Sequence, residues 1–186
     1  MDTKDLVERI DRIESHLAIQ QLAFRYARAI DSRNIAEISS LFSSQTNFGE
    51  DGMGHAGART FYERVLADFY RSFHQISGHV IEFTGSDVAK GTVYCRAEHE
   101  VGSNWILNVM VYFDRYVRME GTWYFAGRRA RYLYVGDALQ QPSSVDFNCW
   151  PGREHAFKVE LPQSDPTWSA FWTGREEVRD ALTSHP

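Results

Sequence analysis

The sequence predicts an α+β protein: a cone-shaped, strongly curved antiparallel sheet closed by helices that precede it. Three observations carry this. Apolar residues recur at helical spacing through the first third of the chain. From residue 74 the period falls to two. The period-two stretches are long and are separated by short turn sequences, which suits antiparallel neighbours on one bent sheet.

The first helix runs from about residue 4 to 31, with Leu6, Val7, Ile10, Ile13, Leu17, Leu22, Phe24, Ala27 and Ile30 as its apolar positions. "DSRN" breaks it, and "IAEISSLF" reads as a second, short helix. "QTNFGEDGMGHAG" reads as a strand followed by a Gly-rich loop, and "ARTFYERVLADFYRSF" as a third helix. Four strands follow, at 75–83, 88–101, 104–118 and 122–135, with "TGSD" and "RMEGT" among the turns. "QQPSSVDFNCWPG" is loop-like. "SDPTWSAFWTGREEVRDAL" reads as one helix, with Ser164 or Asp165 as cap and Pro166 in its first turn. Its Trp168, Phe171 and Trp172 either cover a cavity mouth or clasp a neighbouring subunit.

Composition narrows the function. A chain of 186 residues suits one domain that buries roughly 70% of the surface its unfolded form exposes. Lys and Arg total 20 against 25 Asp and Glu, which supplies no overall basic footprint for nucleic acid. "WILNVMVYF" is too short to span a membrane, and the charged, helical N-terminus does not read as a signal peptide. The expected location is therefore cytoplasmic. Cys95 and Cys149 lack metal-ligand spacing, and a reduced pair is favoured over a disulfide. Aromatic residues reach 14%, which suits either an aromatic core or a pocket for an apolar, ring-shaped ligand.

Several polar residues fall on apolar faces. Asp31 continues the line of Phe24 and Ala27 on the first helix, near a C-terminus where an anion is unwelcome, so it either caps the turn or points inward. His99 shares one face of its strand with Ala89, Val93, Cys95 and Ala97, as a backbone-bonded structural histidine or a catalytic acid. His74 and His79 take opposite faces if their strand is regular, so either His79 faces the helices with Ile81 and Phe83 or a bulge intervenes, and His74 is preferred as the base. On the third strand Asn104, Ile106, Asn108, Met110, Tyr112 and Asp114 alternate with a uniformly apolar set of Trp105, Leu107, Val109, Val111 and Phe113. The mixed set suits a ligand cavity, with Asn108 and Tyr112 as substrate contacts, although Asn108 also suits a solvent-facing position. His74, His79 and His99 with Asp31 or Glu98 make a metal site only on paper, because no HxH or HxxxH spacing occurs.

Three blocks, "AIQQLAFRYARAIDSRN…ISSLFSSQTNF", "FHQISGHVIEFTGSDVAKGTVYCRAEHE" and "YFDRYVRMEGTWYFAGRRARYLY", resemble the SnoaL-like branch of the nuclear transport factor 2-like superfamily, a cystatin-like α+β barrel. The likeness covers about residues 12–135. It leaves the tail unaccounted for; the expected organisation is a cone domain at 1–136 and a C-terminal extension at 137–186 whose helix packs on the same domain. Within the superfamily the chain is most similar to scytalone dehydratase, bile-acid 7α-dehydratase and hexachlorocyclohexane dehydrochlorinase. Tyr26 and Asp31 have the "YxxxxD" spacing of the bile-acid enzyme, His74 stands where the group's base histidine belongs, and His99 lies 25 residues further on, the spacing of the two histidines in scytalone dehydratase, where the bile-acid enzyme carries an aspartate. The group's strand-borne arginine corresponds to Arg128 or Arg131, and "GRRAR" permits both.

The resemblance implies a cofactor-independent, metal-free lyase that eliminates water or a similar group from a small, mostly apolar cyclic substrate. His74 is the base, Asp31 orients it, Tyr26 and His99 serve the carbonyl or leaving group, and Asn108, Arg128 and Tyr112 contact substrate. Tyr26 equally suits a core aromatic. An isomerase or a steroid or polyketide cyclase on the same scaffold is the second expectation. A non-catalytic small subunit of an aromatic-ring dioxygenase, or a ligand-binding protein, is the third. A homodimer or homotrimer packed sheet to sheet is the expected assembly.

Overall fold

The computed structural model describes residues 2–140, 150–152, 158–160 and 162–183. Cys149 and most of the loop-like stretch before it lie outside these, and so does any disulfide to Cys95. Helices α1 (Thr3–Asp31), α2 (Ile35–Ser40) and α3 (Gly54–Leu66) precede strands β1 (Ser72–Phe83), β2 (Val88–Val101), β3 (Asn104–Met119) and β4 (Thr122–Asp137). The strands form one antiparallel meander in the order β1-β2-β3-β4. Helices and curved sheet make the α+β cone expected from the sequence. Among the described residues no helix is long and apolar enough to cross a membrane.

The core lies between the helices and the concave face of the sheet. Ile19, Leu22, Tyr26 and Ile30 of α1, Ile38, Leu41 and Phe42 around α2, and Tyr62 and Leu66 of α3 pack on Tyr116, Trp123 and Phe125. Tyr116, Phe42 and Phe125 are the largest fully buried side chains. An isolated bridge between Phe42 and Phe125 pins the helical layer to β4.

Two irregular registers decide which side chains face inward. On β1, Ile76 pairs with Cys95 but Gly78 pairs with Tyr94, so Ser77 is an extra residue. The bulge returns the strand to phase. Ser72, His74 and Ile76 before it, and His79, Ile81 and Phe83 after it, all pair with inward residues of β2. His74 and His79 therefore share a face. On β4 the shifts at Val109/Met110 and Arg115/Tyr116 set Arg128 opposite Asp114 and Arg131 opposite Val111. Arg128 faces inward with Asp114. Arg131 faces outward, where it bonds Asp165 at 3.1 Å.

Four sequence expectations need correction. Residues 69–73 are not helical, because Arg33 bonds the carbonyls of Phe69 and Tyr70 and the hydroxyl of Ser72, while Tyr70 and Arg71 pair with Glu100. These contacts draw the chain out along β2, and β1 begins at Ser72 rather than 75. The expected strand near Asn47 is only a bridge to Met53 around a short 3-10 turn, and α3 starts at Gly54. Gly54 has φ +59°, and a Cβ there would meet the Ser44 carbonyl oxygen at 2.6 Å. The C-terminal helix is two helices, α4 (Pro166–Trp172) and α5 (Glu176–Thr183), parted at Gly174 with φ +74°. Finally, the apolar residues in the first half of α1 do not join the core: Val7, Ile13 and Leu17 are 60%, 59% and 55% exposed.

Candidate active site

α1 ends where β1 begins, and the two meet through one carboxylate. Asp31 accepts hydrogen bonds from Ser72 Oγ at 2.9 Å, from the His74 backbone N–H at 2.8 Å and from His74 Nδ1 at 2.7 Å. It caps nothing in its own turn. Three donors offset the unfavourable helix end and the burial. Burial pushes the Asp31 carboxyl upward, but the hydrogen bonds and charge of His74, with Ser72, outweigh it and hold the group below its ordinary value. Because Nδ1 donates to Asp31, the neutral ring carries its proton there, and Nε2 is left as the base. The His74 side chain is only 6% exposed.

The pairing grid places the other candidates. His74, Ala97, Asn108 and Val135 lie in one row across the four strands, and the next row toward the strand ends holds Ser72, His99, Ile106 and Asp137. His99 is buried with its ring 5.3 Å from His74 and perpendicular to it, 4.5 Å from Phe69 and 5.0 Å from Trp150. Burial, followed by the neighbouring His74, lowers its pKa to about 3, so His99 is neutral near pH 7. A protonated-imidazolium role at that pH is therefore disfavoured. Its Nδ1 is buried without a hydrogen-bond partner among the described residues. Asn108 is buried rather than solvent-facing, at 3% exposure, and its Oδ1 also lacks a partner among the described residues.

Toward the other end of the cone stands a second pair. Arg128 Nε and Nη2 donate to the two Asp114 oxygens at 2.8 and 2.7 Å, and the guanidinium lies 4.1–4.5 Å from the rings of Tyr26, Tyr112 and Phe125. Burial works against the charge of Arg128, but Asp114 more than offsets it and keeps the group protonated. Arg128 Nη1 has no protein acceptor among the described residues. The Tyr116 hydroxyl donates to Asp114 at 2.7 Å, so at the 3.0 Å contact with His79 it must accept from Nε2–H. Gly91 makes this meeting possible. A Cβ there would lie 2.8 Å from the Tyr116 hydroxyl and 2.9 Å from His79 Nε2.

Tyr26, His74, His99, Asn108, Tyr112 and Arg128 thus border one cavity, with Phe48, Phe61, Tyr62 and Met110 among its apolar walls. Its volume is about 970 Å³, part of which lies on the outer side of the sheet by Glu82, Lys90 and Arg115. Asp31 stands behind His74. Tyr26 is buried among Tyr62, Tyr112 and Phe125 and keeps its proton, since burial raises its pKa. Among the described residues no three His, Cys, Asp or Glu side chains cluster as a metal site, and His79 is engaged with Tyr116. Burial lifts the Cys95 thiol to about 11, so it remains protonated.

Sequence reasoning missed Ser72, Arg33, Asp114, Tyr116 and Trp150. Asp114 had a signal, a carboxylate in the inward set of β3. Trp150 had none, yet it packs over His99 and Phe69 at 2% exposure. In the single chain Trp168 and Phe171 of α4 are 42% and 58% exposed.

Comparison with known proteins agrees with this architecture. A gamma-hexachlorocyclohexane dehydrochlorinase of Sphingobium indicum is 28% identical over 128 residues, covering 65% of this chain and 82% of the relative. The crystal structure of LinA superimposes with a TM-score of 0.66 at 26% identity, covering 72% of this chain and 96% of that one. A putative scytalone dehydratase from Novosphingobium aromaticivorans, at 21% identity, shares the fold with a TM-score of 0.61 over 72% of this chain and 93% of its own. The SnoaL-like domain model matches residues 11–129, more than half of the sequence. The chain belongs to the SnoaL-like domain family.

Proposed function

We propose that the protein is a cofactor-independent lyase that uses the Asp31–His74 pair for elimination on a small, mostly apolar cyclic substrate. The observation that carries this is the threefold anchoring of Asp31, which fixes both the tautomer and the direction of the His74 ring. A non-catalytic subunit has no need of such an arrangement. The similarity to a dehydrochlorinase supports elimination as the reaction class.

In the proposed step His74 Nε2 takes a proton from a substrate carbon. The electrons of that C–H bond form the new double bond, and the leaving group departs from the adjacent carbon with its bonding pair. If the leaving group is hydroxide, the imidazolium of His74 returns the proton to it and water is released. If it is halide, the proton passes to solvent. Asp31 stabilises the transient imidazolium, and Arg128 Nη1 offers a hydrogen bond to negative charge developing on the ring or its carbonyl. Asn108 and Tyr112 position the ring, and Tyr26, protonated, can polarise a carbonyl.

The test is incubation with a panel of cyclic β-hydroxy ketones and halogenated cyclic compounds, followed by mass spectrometry of the products. Loss of water or of hydrogen halide supports the reading. His74→Ala and Asp31→Asn should each reduce turnover by about 10²–10⁴-fold. Activity that survives His74→Ala refutes the assignment of the base. The neutral state of His99 also favours a second reading, an isomerase or cyclase, because moving a proton between carbons needs no acid for a leaving group. A product of unchanged mass with a shifted double bond or a new ring identifies that outcome.

A further inference from the structure

The turn after α1 holds a residue in a backbone conformation that its side chain does not favour. Arg33 has φ +57°, the left-handed region in which helices commonly place glycine after their last turn. A residue with a Cβ persists there only when its surroundings hold it, and such residues gather at functional sites. Here the surroundings are four acceptors. Arg33 Nη1 donates to the Ile30 carbonyl at 2.8 Å and to Ser72 Oγ at 3.0 Å, and Nη2 donates to the carbonyls of Phe69 at 3.2 Å and Tyr70 at 3.1 Å. The hydrogens of both terminal nitrogens are thereby used. The guanidinium carbon also lies 4.7 Å from the centre of the Phe69 ring.

Three of these acceptors are backbone carbonyls, where the line of contacts ends. Ser72 passes it on. Its single hydroxyl proton goes to Asp31 Oδ1 at 2.9 Å, so toward Arg33 the same oxygen can only accept. Donation therefore runs one way, from Arg33 through the Ser72 hydroxyl to the carboxylate oxygen that also accepts from His74 Nδ1. A hydroxyl that accepts from a charged donor is fixed in rotation and polarised as a donor in its turn. Burial weighs against the Arg33 charge, and the Asp31 carboxylate works in its favour.

We infer, on the reading of that pair as catalytic, that Arg33 is a positioning residue for Asp31 and His74, acting through the Ser72 hydroxyl. The four side-chain bonds of Arg33 reach neither member of the pair directly, and among the described residues Arg33 does not border the cavity. Its contribution belongs to turnover rather than to substrate affinity.

Arg33→Lys keeps the charge but cannot serve four acceptors from one planar fork. With a substrate from the panel above, it should lower kcat about tenfold and leave KM within about twofold. Ser72→Ala should do the same, and Arg33→Lys/Ser72→Ala should fall no more than about threefold below either single variant. Proton exchange followed by NMR separates positioning from lost stability and needs no substrate. In Arg33→Lys the His74 Nδ1 proton should exchange with water about tenfold faster, while the His79 Nε2 proton on the same strand, bonded to Tyr116, keeps its wild-type rate. Unchanged exchange at His74, equal acceleration of both protons, or single losses of kcat that multiply in the double variant overturns the inference. Faster exchange at His74 alone with kcat unchanged upholds the grip of Arg33 on the pair and counts instead against its catalytic reading.

Discussion

Asp31–His74 and Asp114–Arg128 are both carboxylate pairs on the concave side of one sheet, each with a closest contact of 2.7 Å. They differ in partner and in exposure. Asp31 keeps 23% of its side chain exposed, while Asp114 keeps none. Asp31 is paired with an imidazole, a side-chain type that can take up and release a proton, whereas Asp114 is paired with a guanidinium that it holds in the charged form. In the proposed mechanism the first pair gains and loses a proton. The second is a fixed charge, clamped by Tyr116 and by the aromatic rings around it. The proposed elimination would use both kinds, a proton moved at one end and a constant field at the other.

The largest test of that contrast is Asp114→Ala. It leaves the Arg128 guanidinium buried without its acceptor and should cost about 3–5 kcal/mol of stability in urea unfolding, whereas Asp31→Asn, at a partly exposed site, should cost far less. Equal losses would show that the two pairs are not different in kind.

Acid should separate the ends next. Between the ordinary histidine value near 6.5 and the lowered value of about 3, the unfolded chain binds a proton at His99 that the native protein does not. Stability should therefore fall as pH drops through this window, by up to about 1.4 kcal/mol per pH unit. Asp31 adds to the loss lower down. Its carboxyl is held below the ordinary value, so its contribution is complete above that value and disappears as pH falls through the native one. Thermal unfolding of the wild type and His99→Phe across pH should show the upper part of the dependence flattened in the variant.

A smaller effect is expected from Tyr116→Phe. It removes the donor to Asp114 and the acceptor for His79, and should cost about 1–2 kcal/mol while leaving Arg128 charged. Ser72→Ala should be the mildest, about 1 kcal/mol, with an upward shift of the Asp31 carboxyl measurable by NMR titration.

Much of this site is legible in the sequence alone. Asp31 fell on an apolar helix face, His99 on an apolar strand face, and Asn108 and Tyr112 in the mixed set of β3, because side-chain direction in regular elements follows from spacing alone. His79 and Arg128 were not legible in the same way. Their direction depends on the extra residue at Ser77 and on the shifted registers of β4, and a one-residue slip reverses every side chain beyond it. Ser72 lies in a stretch whose sequence reads as helix, and contacts with Arg33 and Glu100, distant in sequence, extend it.

Periodicity, turns and composition were enough for the class and the element order, since these depend on neighbours close in sequence, whereas the pairing of Asp31 with His74, 43 residues further on, was suggested by family likeness alone. Which of two apolar faces of α1 is buried, where α3 stops, that Trp150 rather than α4 packs over His99, and that Asp114 rather than solvent satisfies Arg128 were set by contacts between residues far apart in the chain. Local patterns limit what each segment can bury. Only the assembled sheet and helices determine what each segment finds there.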